Sequence, residues 1–183
     1  MTTKKISKGK KFEEIFKDSV LNTNEGYDVP RTIIERLPDQ VTKYRGSKNP
    51  SDFIAFRTPH MYYFECKSTS ATSLSFDNIT QWEDLLERSR VDGVIAGVVI
   101  WFYAKDVTIF VDIRLLECMR QEGYKSISYD LHWTGDEKLD NWIKYYIKIQ
   151  GEKRRVYFEY DMNKFFDDVG TIYDNKRTYK NEL

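Results

Sequence analysis

The alternation of apolar and polar positions divides the first two thirds of the chain into helices and strands. Apolar side chains that recur every three or four residues predict helices, and runs rich in Val, Ile, Tyr and Phe predict strands. The predicted elements are a helix at about 10–21 with Ser7 as its N-cap, strands at 29–37, 51–56 and 61–67, a helix at 78–90, strands at 94–103 and 107–112, and a helix at 113–121. The nearly continuous apolar run at 94–103 is typical of a central strand buried on both faces. This order predicts an α/β fold with a mixed central β-sheet flanked by helices.

The pattern is weaker beyond Gly123. Segments 142–149 and 155–160 alternate, which predicts two strands that pair around Gly151, and a short helix is expected at 161–169. The sequence has no internal repeat, no low-complexity segment and no clear domain boundary. We therefore expect one domain over residues 1–183, with a core at about 9–129 and a C-terminal addition at about 130–183.

Charge leaves nucleic-acid binding open. The formal net charge is zero, because 29 Lys and Arg balance 29 Asp and Glu, whereas nucleic-acid-binding domains usually carry a basic excess. The cations are nevertheless clustered, at residues 4–11, 43–48, 153–155 and 176–180. A neutral protein can still present a positive face, although most such runs are ordinary solvated surface.

The two cysteines, Cys66 and Cys118, suggest neither a disulfide framework nor a metal-binding spacing. The lysine-rich N-terminus lacks the apolar segment of a secretory signal, and the longest apolar run is too short to span a bilayer. These features predict a protein of the reducing cytoplasm without a membrane partner. His60 and His132 have no companion at a recognisable spacing, so both are interpreted as structural or surface groups.

The chemistry is concentrated on two neighbouring predicted strands. Asp52 lies on one strand and Glu65 on the next, and strand geometry places Lys67 on the same side as Glu65. The alternate side chains, such as Phe64 and Cys66, point toward the core. If the two strands pair so that Asp52 lies near Glu65, two carboxylates and one ammonium share a small space.

Two such carboxylates repel unless a cation lies between them. Mg²⁺ suits the position, because it prefers oxygen ligands and commonly keeps water and substrate phosphate in its coordination shell. Such a site favours phosphodiester hydrolysis, with Lys67 orienting the attacking water or neutralising developing charge. A simpler interpretation of the same three residues is a surface hairpin held by salt bridges.

These residues resemble the PD-(D/E)XK nucleases, whose motif would read here Ser51-Asp52 and then Glu65-Cys66-Lys67. A closer resemblance is to the RecU-type Holliday junction resolvases. It rests on the matching segments Gly9 to Glu13, Phe64 to Thr69, Ser73 to Phe76, Asn78-Ile79 with Gln81, and Gly123 to Ile127. The likeness covers most of residues 9–129. It implies a Mg²⁺-dependent endonuclease, with Mn²⁺ as a substitute, that acts on four-way DNA junctions as a homodimer.

The resemblance also implies a role for each matching residue. Asp52, Glu65 and the backbone carbonyl of Cys66 would bind the metal, and Lys67 would be catalytic. Glu13 and Gln81 would lie at the edge of the site. Glu13 could equally be a solvated helix acid, and the alternative for Gln81, which is less favoured, is an exposed helix residue. The residues expected to contact DNA are Ser51, in place of the family's usual Thr, with Lys10, Lys11, Lys43, Tyr44, Arg45 and Lys48.

One departure keeps other functions open. RecU-type proteins carry a long basic stalk between the second and third strands, whereas residues 38–50 here form a short loop. A restriction-type or repair nuclease acting on duplex DNA therefore remains an alternative. A DNA-binding recombination accessory that does not cleave is another.

Overall fold

The computed structural model describes residues 7–38, 49–131, 135, 137–153 and 158–180, and of residues 138 and 175–180 the backbone alone. The helices are α1 (Lys8–Asn22), α2 (Trp82–Arg88), α3 (Ile113–Gln121), α4 (Glu137–Trp142) and α5 (Met162–Lys180), with short 3-10 turns at Phe76–Asn78 and Ile143–Tyr145. The strands are β1 (Thr32–Arg36), β2 (Phe53–Arg57), β3 (His60–Thr69), β4 (Ser73–Ser75), β5 (Val94–Phe102), β6 (Val107–Asp112), β7 (Ser126–Ser128), β8 (Tyr146–Ile149), β9 (Gly151–Lys153) and β10 (Phe158–Tyr160). None of these helices combines the length and the apolar character needed to cross a membrane.

Six of the strands form one mixed sheet in the order β1-β2-β3-β5-β6-β8. Strands β3 and β5 run parallel, and the other neighbouring pairs run antiparallel. Leaving aside the three-residue β4, the first elements follow the order α1-β1-β2-β3-α2-β5. The predicted fold class is therefore confirmed, because the described part of the chain is a mixed central sheet flanked by five helices.

The two faces of β3 contact different helices. On one face, Phe64 lies 5.3 Å from Phe16 of α1 and 6.1 Å from Phe165 of α5, measured between ring centroids. On the other face, the ring of Tyr63 lies beneath the guanidinium of Arg88 on α2. This division follows from the alternation of side chains along a strand. It places aromatic core behind β3 and leaves the face that carries Glu65 and Lys67 for the candidate site.

The first helix and the central strands agree closely with the sequence pattern. Helix α1 begins after Ser7, whose hydroxyl accepts a hydrogen bond from the backbone N–H of Lys10. Strand β5 is buried along nearly its whole length, as its apolar run predicts. Helix α2 is shorter than the predicted 78–90. Residue 78, the first of that range, belongs instead to a separate 3-10 turn that Ser75 caps.

The predicted pairing of the late strands is wrong. Strand β8 joins the central sheet beside β6, and it does not pair with β10, the described part of the second predicted segment. There it buries Ile147 and Ile149 against the core. The partner of β10 is instead the short, exposed β9. Burial of two isoleucines explains the choice, because each contributes on the order of 1.5–3 kcal/mol when removed from water.

The C-terminal helix also belongs to the core. Helix α5 extends well past the predicted 161–169, and it buries Phe165, Phe166 and Val169. Together with β8 it closes the hydrophobic core around β3 and β6. The division into a core and a C-terminal addition stays a prediction, but these segments share one core with the residues that precede them.

Strand β5 leaves no room for a side chain at Gly97, which pairs with Phe64 of β3 and Asp112 of β6. A Cβ atom there would collide with the carbonyl oxygen of Val111 and lie 2.7 Å from the ring of Phe110. We expect Gly97→Ala to lower the free energy of unfolding by about 2 kcal/mol or more, because neither neighbour can move without disturbing the sheet. Urea denaturation measures this difference.

Gly170 on α5 provides the matched control, since a Cβ at that position meets no atom within 4 Å. Gly170→Ala is expected to be neutral or to stabilise by up to about 1 kcal/mol, through helix propensity alone. Equal effects of the two substitutions would contradict the packing argument for Gly97.

Candidate active site

The pairing of β2 and β3 brings Asp52 opposite Glu65. The register places Phe53 opposite Phe64, and the backbone N–H of Asp52 donates to the carbonyl of Phe64 at 3.1 Å. Residues directly opposite each other in an antiparallel pair project on the same face. Asp52 and Glu65 therefore share a face, as the sequence pattern predicts, and Lys67 lies two residues further along it.

Asp52 is held in place because β2 begins one residue after it. The ladder between β2 and β3 ends there, so the N–H of Cys66 faces that edge without a strand partner. The carboxylate of Asp52 accepts a hydrogen bond from this N–H at 2.8 Å. Since the N–H and C=O of a strand residue point to the same side, the Cys66 carbonyl faces the same edge. The adjacent Ser51 is buried, and its hydroxyl donates to the carbonyl of Phe53 at 2.9 Å.

Glu65 is the most unusual residue of the site. It is 1% exposed, and its Oε1 accepts from the ammonium of Lys67 at 2.8 Å. Its other oxygen, Oε2, is buried without a hydrogen-bond partner among the described residues. A buried carboxylate oxygen without a partner is costly, so it is a position where a cation would be stabilising. The side chain of Lys67 is 23% exposed and lies at the rim of the site.

The surroundings of Glu65 raise its pKa to about 7 from an ordinary value of 4.5. Burial away from water is the largest cause, and the negative charge of Asp52 is the next. Lys67 opposes both through its charge and its hydrogen bond, and Glu13 adds a further repulsion. Repulsion between neighbouring carboxylates is the electrostatic signature of a site that favours a cation.

Glu13 reaches the site from α1. Its Oε2 accepts a hydrogen bond from Nε of Arg36, the last residue of β1, at 3.0 Å. Arg36 was not singled out by the sequence pattern, because a charged residue that ends a strand resembles ordinary surface charge. Its position becomes informative once β1 is known to pair beside Asp52.

The other predicted site residues are less closely involved. Gln81 immediately precedes α2, is partly buried, and accepts a hydrogen bond from the hydroxyl of Thr80. Lys10 and Lys11 are exposed on the first turn of α1. The predicted DNA-contacting residues Lys43, Tyr44, Arg45 and Lys48 lie outside the described residues.

The side chains fit a hard divalent cation of the Mg²⁺ type. Across the described ranges, no three His, Cys, Asp or Glu side chains form a ready-made metal site. Mg²⁺ does not require one, because it is usually bound through one or two carboxylates and completes its shell with water and substrate phosphates. The unpartnered Oε2 of Glu65, the carboxylate of Asp52 and the carbonyl edge at Cys66 provide oxygen donors of that kind.

Comparisons with known proteins give a distant likeness of fold. No family model matches the chain, and no curated protein matches it. Among solved structures, the chain is similar to Hjc of Archaeoglobus fulgidus, a Holliday junction resolvase from an archaeal hyperthermophile. The likeness has a TM-score of 0.46 and 19% sequence identity, and it covers 66% of this chain and 88% of that one. At this distance, the activity of that protein is not transferred to the present chain.

The raised pKa of Glu65 has a consequence for stability. Between about pH 4.5 and 7 the folded protein holds a proton on Glu65 that the unfolded chain releases. We therefore expect the metal-free protein to lose stability as pH rises through this window, by on the order of 2–3 kcal/mol, and then to level off above it. Thermal unfolding in EDTA at a series of pH values measures the slope.

Glu65→Gln is the matched variant, because it keeps the shape of the side chain and removes its titration. Its stability is expected to vary less across the same pH window. Saturating Mg²⁺ is expected to stabilise the wild-type protein above pH 7 and to leave Glu65→Gln nearly unchanged. A wild-type pH slope as shallow as that of the variant would contradict the assignment of the raised pKa to Glu65.

Proposed function

We propose that the chain is a Mg²⁺-dependent DNA endonuclease, able to use Mn²⁺, that hydrolyses phosphodiester bonds in Holliday junctions. The observation that carries the proposal is the buried carboxylate of Glu65. One of its oxygens has no hydrogen-bond partner among the described residues, the other is paired with Lys67, and Asp52 lies opposite on the same face. A hairpin held only by surface salt bridges does not account for a fully buried carboxylate of raised pKa.

The roles follow from what each residue can reach. Asp52, Glu65 and the Cys66 carbonyl would hold the ion, with Asp52 fixed by its hydrogen bond from the Cys66 N–H. When bound, such an ion polarises a phosphate oxygen and makes a bound water more acidic. Lys67 lies at the rim with its ammonium positioned by Glu65, so it can donate to the attacking water or to a phosphate oxygen that gains charge.

The choice of a four-way junction as substrate rests on the sequence resemblance of residues 9–129 to RecU-type resolvases. A junction is resolved by two cuts on opposed strands, and a two-fold homodimer would supply two identical sites. The shortness of segment 38–50, which the sequence predicts to be a loop, favours the second candidate, a nuclease that cuts duplex DNA, because so short a segment offers less reach into a junction than a long basic stalk. Location in the cytoplasm belongs to the same proposal.

Cleavage assays on a four-way junction, a fork and a plain duplex, with and without Mg²⁺, test the proposal. We expect Asp52→Asn and Glu65→Gln to abolish cleavage and leave DNA binding largely intact, because each removes a metal ligand and no DNA contact. Lys67→Ala is expected to slow cleavage by about 100-fold or more and to leave metal binding measurable. Asp77→Asn and Glu87→Gln, which alter exposed carboxylates near α2, serve as controls that should cut normally.

The substrates distinguish the candidates. Paired, symmetric cuts in the junction alone support a resolvase that acts as a dimer, and equal rates on plain duplex would support the restriction-type or repair nuclease instead. DNA binding without cleavage under any metal condition would leave the non-cleaving accessory protein. If Asp52→Asn and Glu65→Gln both still cut, the site is assigned to the wrong residues.

Salt dependence tests the predicted DNA-contacting loop. Each phosphate neutralised on B-form DNA contributes about −0.9 to the slope of log affinity against log salt. We expect replacement of Lys43, Arg45 and Lys48 by Ala to make that slope shallower by about 2–3, and to weaken junction binding more than duplex binding.

The matched control replaces three exposed lysines away from that loop. It consists of Lys144→Ala, Lys148→Ala and Lys164→Ala, on the 3-10 turn before β8, on β8 and on α5. This variant should keep the wild-type slope. The same slope in all three proteins would show that the loop cations are ordinary surface charge.

A further inference from the structure

Part of the sheet face that carries the candidate site is open to solvent. Because side chains alternate along a strand, Met61, Tyr63 and Glu65 project on one face of β3. Helix α2 lies over this face at Tyr63, whose ring contacts the guanidinium of Arg88, the last residue of that helix. Toward the start of β3 the same face is exposed, because the helix ends before it reaches Met61.

The exposed side chains form an apolar row across the sheet. Ile33 of β1 pairs with Phe56 of β2, and Phe56 pairs with Met61 of β3, so the three side chains lie side by side on one face. They are 56%, 43% and 38% exposed, respectively. Single apolar side chains on a surface are ordinary, whereas a contiguous strip of them marks an interaction surface.

The edge of the sheet beside this row is less suited to a partner than the face. The side-chain amide of Asn24, in the turn after α1, donates to the carbonyl of Thr32 at 2.8 Å, and its oxygen accepts from the N–H of Thr32 at 2.9 Å. Asn24 thereby occupies backbone groups that the edge strand β1 would offer to another strand. A partner of the exposed row is therefore expected to pack on the face of the sheet.

Two opposite charges flank the row on its β1 side. Arg31 and Glu35 lie two residues before and two residues after Ile33, and both are exposed. Arg31 donates to the hydroxyl of Tyr27 and lies over its ring. Among the described residues, neither Arg31 nor Glu35 has an ion-pair partner. Four residues of strand separate them by about 13 Å, so they cannot pair with each other.

We propose that this face binds a second copy of the chain, with a two-fold axis that runs along the row from Ile33 to Met61. The apolar row of each copy packs on the row of the other, and the facing strands run antiparallel. Rotation about this axis brings Arg31 of one copy opposite Glu35 of the other, and the same contact occurs twice. The charge match selects a second copy as the occupant, because it is complete only when the surface meets itself.

The inference rests on the homodimer of the proposed function, to which it assigns a surface. Glu65 lies four residues along β3 from Met61, which corresponds to about 13 Å. The candidate sites of the two copies therefore lie on opposite sides of the axis, each about 13 Å from it along the strand. Two identical sites held at a fixed separation are what paired cuts require.

Sedimentation equilibrium of the full chain, without DNA or metal, tests the surface. We expect the wild type to be a dimer at micromolar concentration. Ile33→Arg and Phe56→Arg should each raise the dissociation constant of the dimer by about 100-fold or more, because each buries an unpaired charge in the contact. Leu21→Arg and Tyr124→Arg are the matched controls, since these side chains are exposed to a similar degree on α1 and just after α3, and they should leave the dimer unchanged.

A charge swap tests the two-fold arrangement. Arg31→Glu is expected to weaken the dimer by about 5-fold to 10-fold, because it places like charges opposite each other. Arg31→Glu combined with Glu35→Arg restores opposite charges across the axis, and should return the dissociation constant to within about 2-fold of the wild type. A monomeric wild type, a dimer that survives Phe56→Arg, or a charge swap that fails to restore affinity would each overturn the proposal.

Cleavage distinguishes this inference from the proposed function. If monomeric Phe56→Arg still cuts DNA with Mg²⁺ but loses paired, symmetric cuts in the junction, both the surface and the activity are supported. If the association results hold and the wild type cuts no DNA, the surface stands and the proposed activity is wrong. If the wild type cuts DNA as a monomer, the activity stands and the inference is wrong. Thermal unfolding confirms that every variant compared is folded.

Discussion

The burial of one carboxylate constrains the rest of the site. Glu65 lies on a strand whose opposite face is filled with aromatic core, so it cannot turn away from Asp52 without disturbing that core. Lys67 offsets part of the repulsion, and the main chain at Cys66 fixes Asp52. The protein thus maintains an electrostatically unfavourable pair through packing that is remote from it. Strain of this kind is expected where a fold holds a binding site ready for a ligand of opposite charge.

The sequence correctly predicted those helices and strands whose apolar pattern indicates both the type of secondary structure and what packs beside it. The apolar run of β5 specifies a strand buried on two faces, and the spacing between Asp52 and Glu65 suits a hairpin that brings them together. The pairing of the late strands was predicted wrongly, because the alternation of apolar and polar residues shows which side chains face the core but does not show which strand lies alongside. The second helix was predicted to be too long, at 78–90, because the helical spacing of apolar residues begins in the capped 3-10 turn at Phe76–Asn78.

The candidate site was predictable for similar reasons, up to a limit. Glu65 and Lys67 lie on β3, and Asp52 immediately precedes β2, the partner of β3, so local spacing determines which side chains share a face. The contact between Glu13 and Arg36 joins residues 23 positions apart and depends on how α1 lies across β1. No local pattern encodes that packing. The role of Gln81 and the placement of the basic loop at 43–48 depend on still longer-range geometry and stay predictions.

The aromatic layer behind β3 also determines the order in which the molecule can be assembled. Phe64 is covered by Phe16 of α1 and by Phe165 of α5, so two helices far apart in the sequence meet behind the strand that carries Glu65. During synthesis, α1 and β3 leave the ribosome long before α5, and until then one side of Phe64 faces water. In the nascent chain, the core behind the site is therefore incompletely packed. A truncation that removes α5 exposes aromatic side chains and makes the protein prone to aggregation. A protein built in this way completes the core behind Glu65 only when α5 has docked.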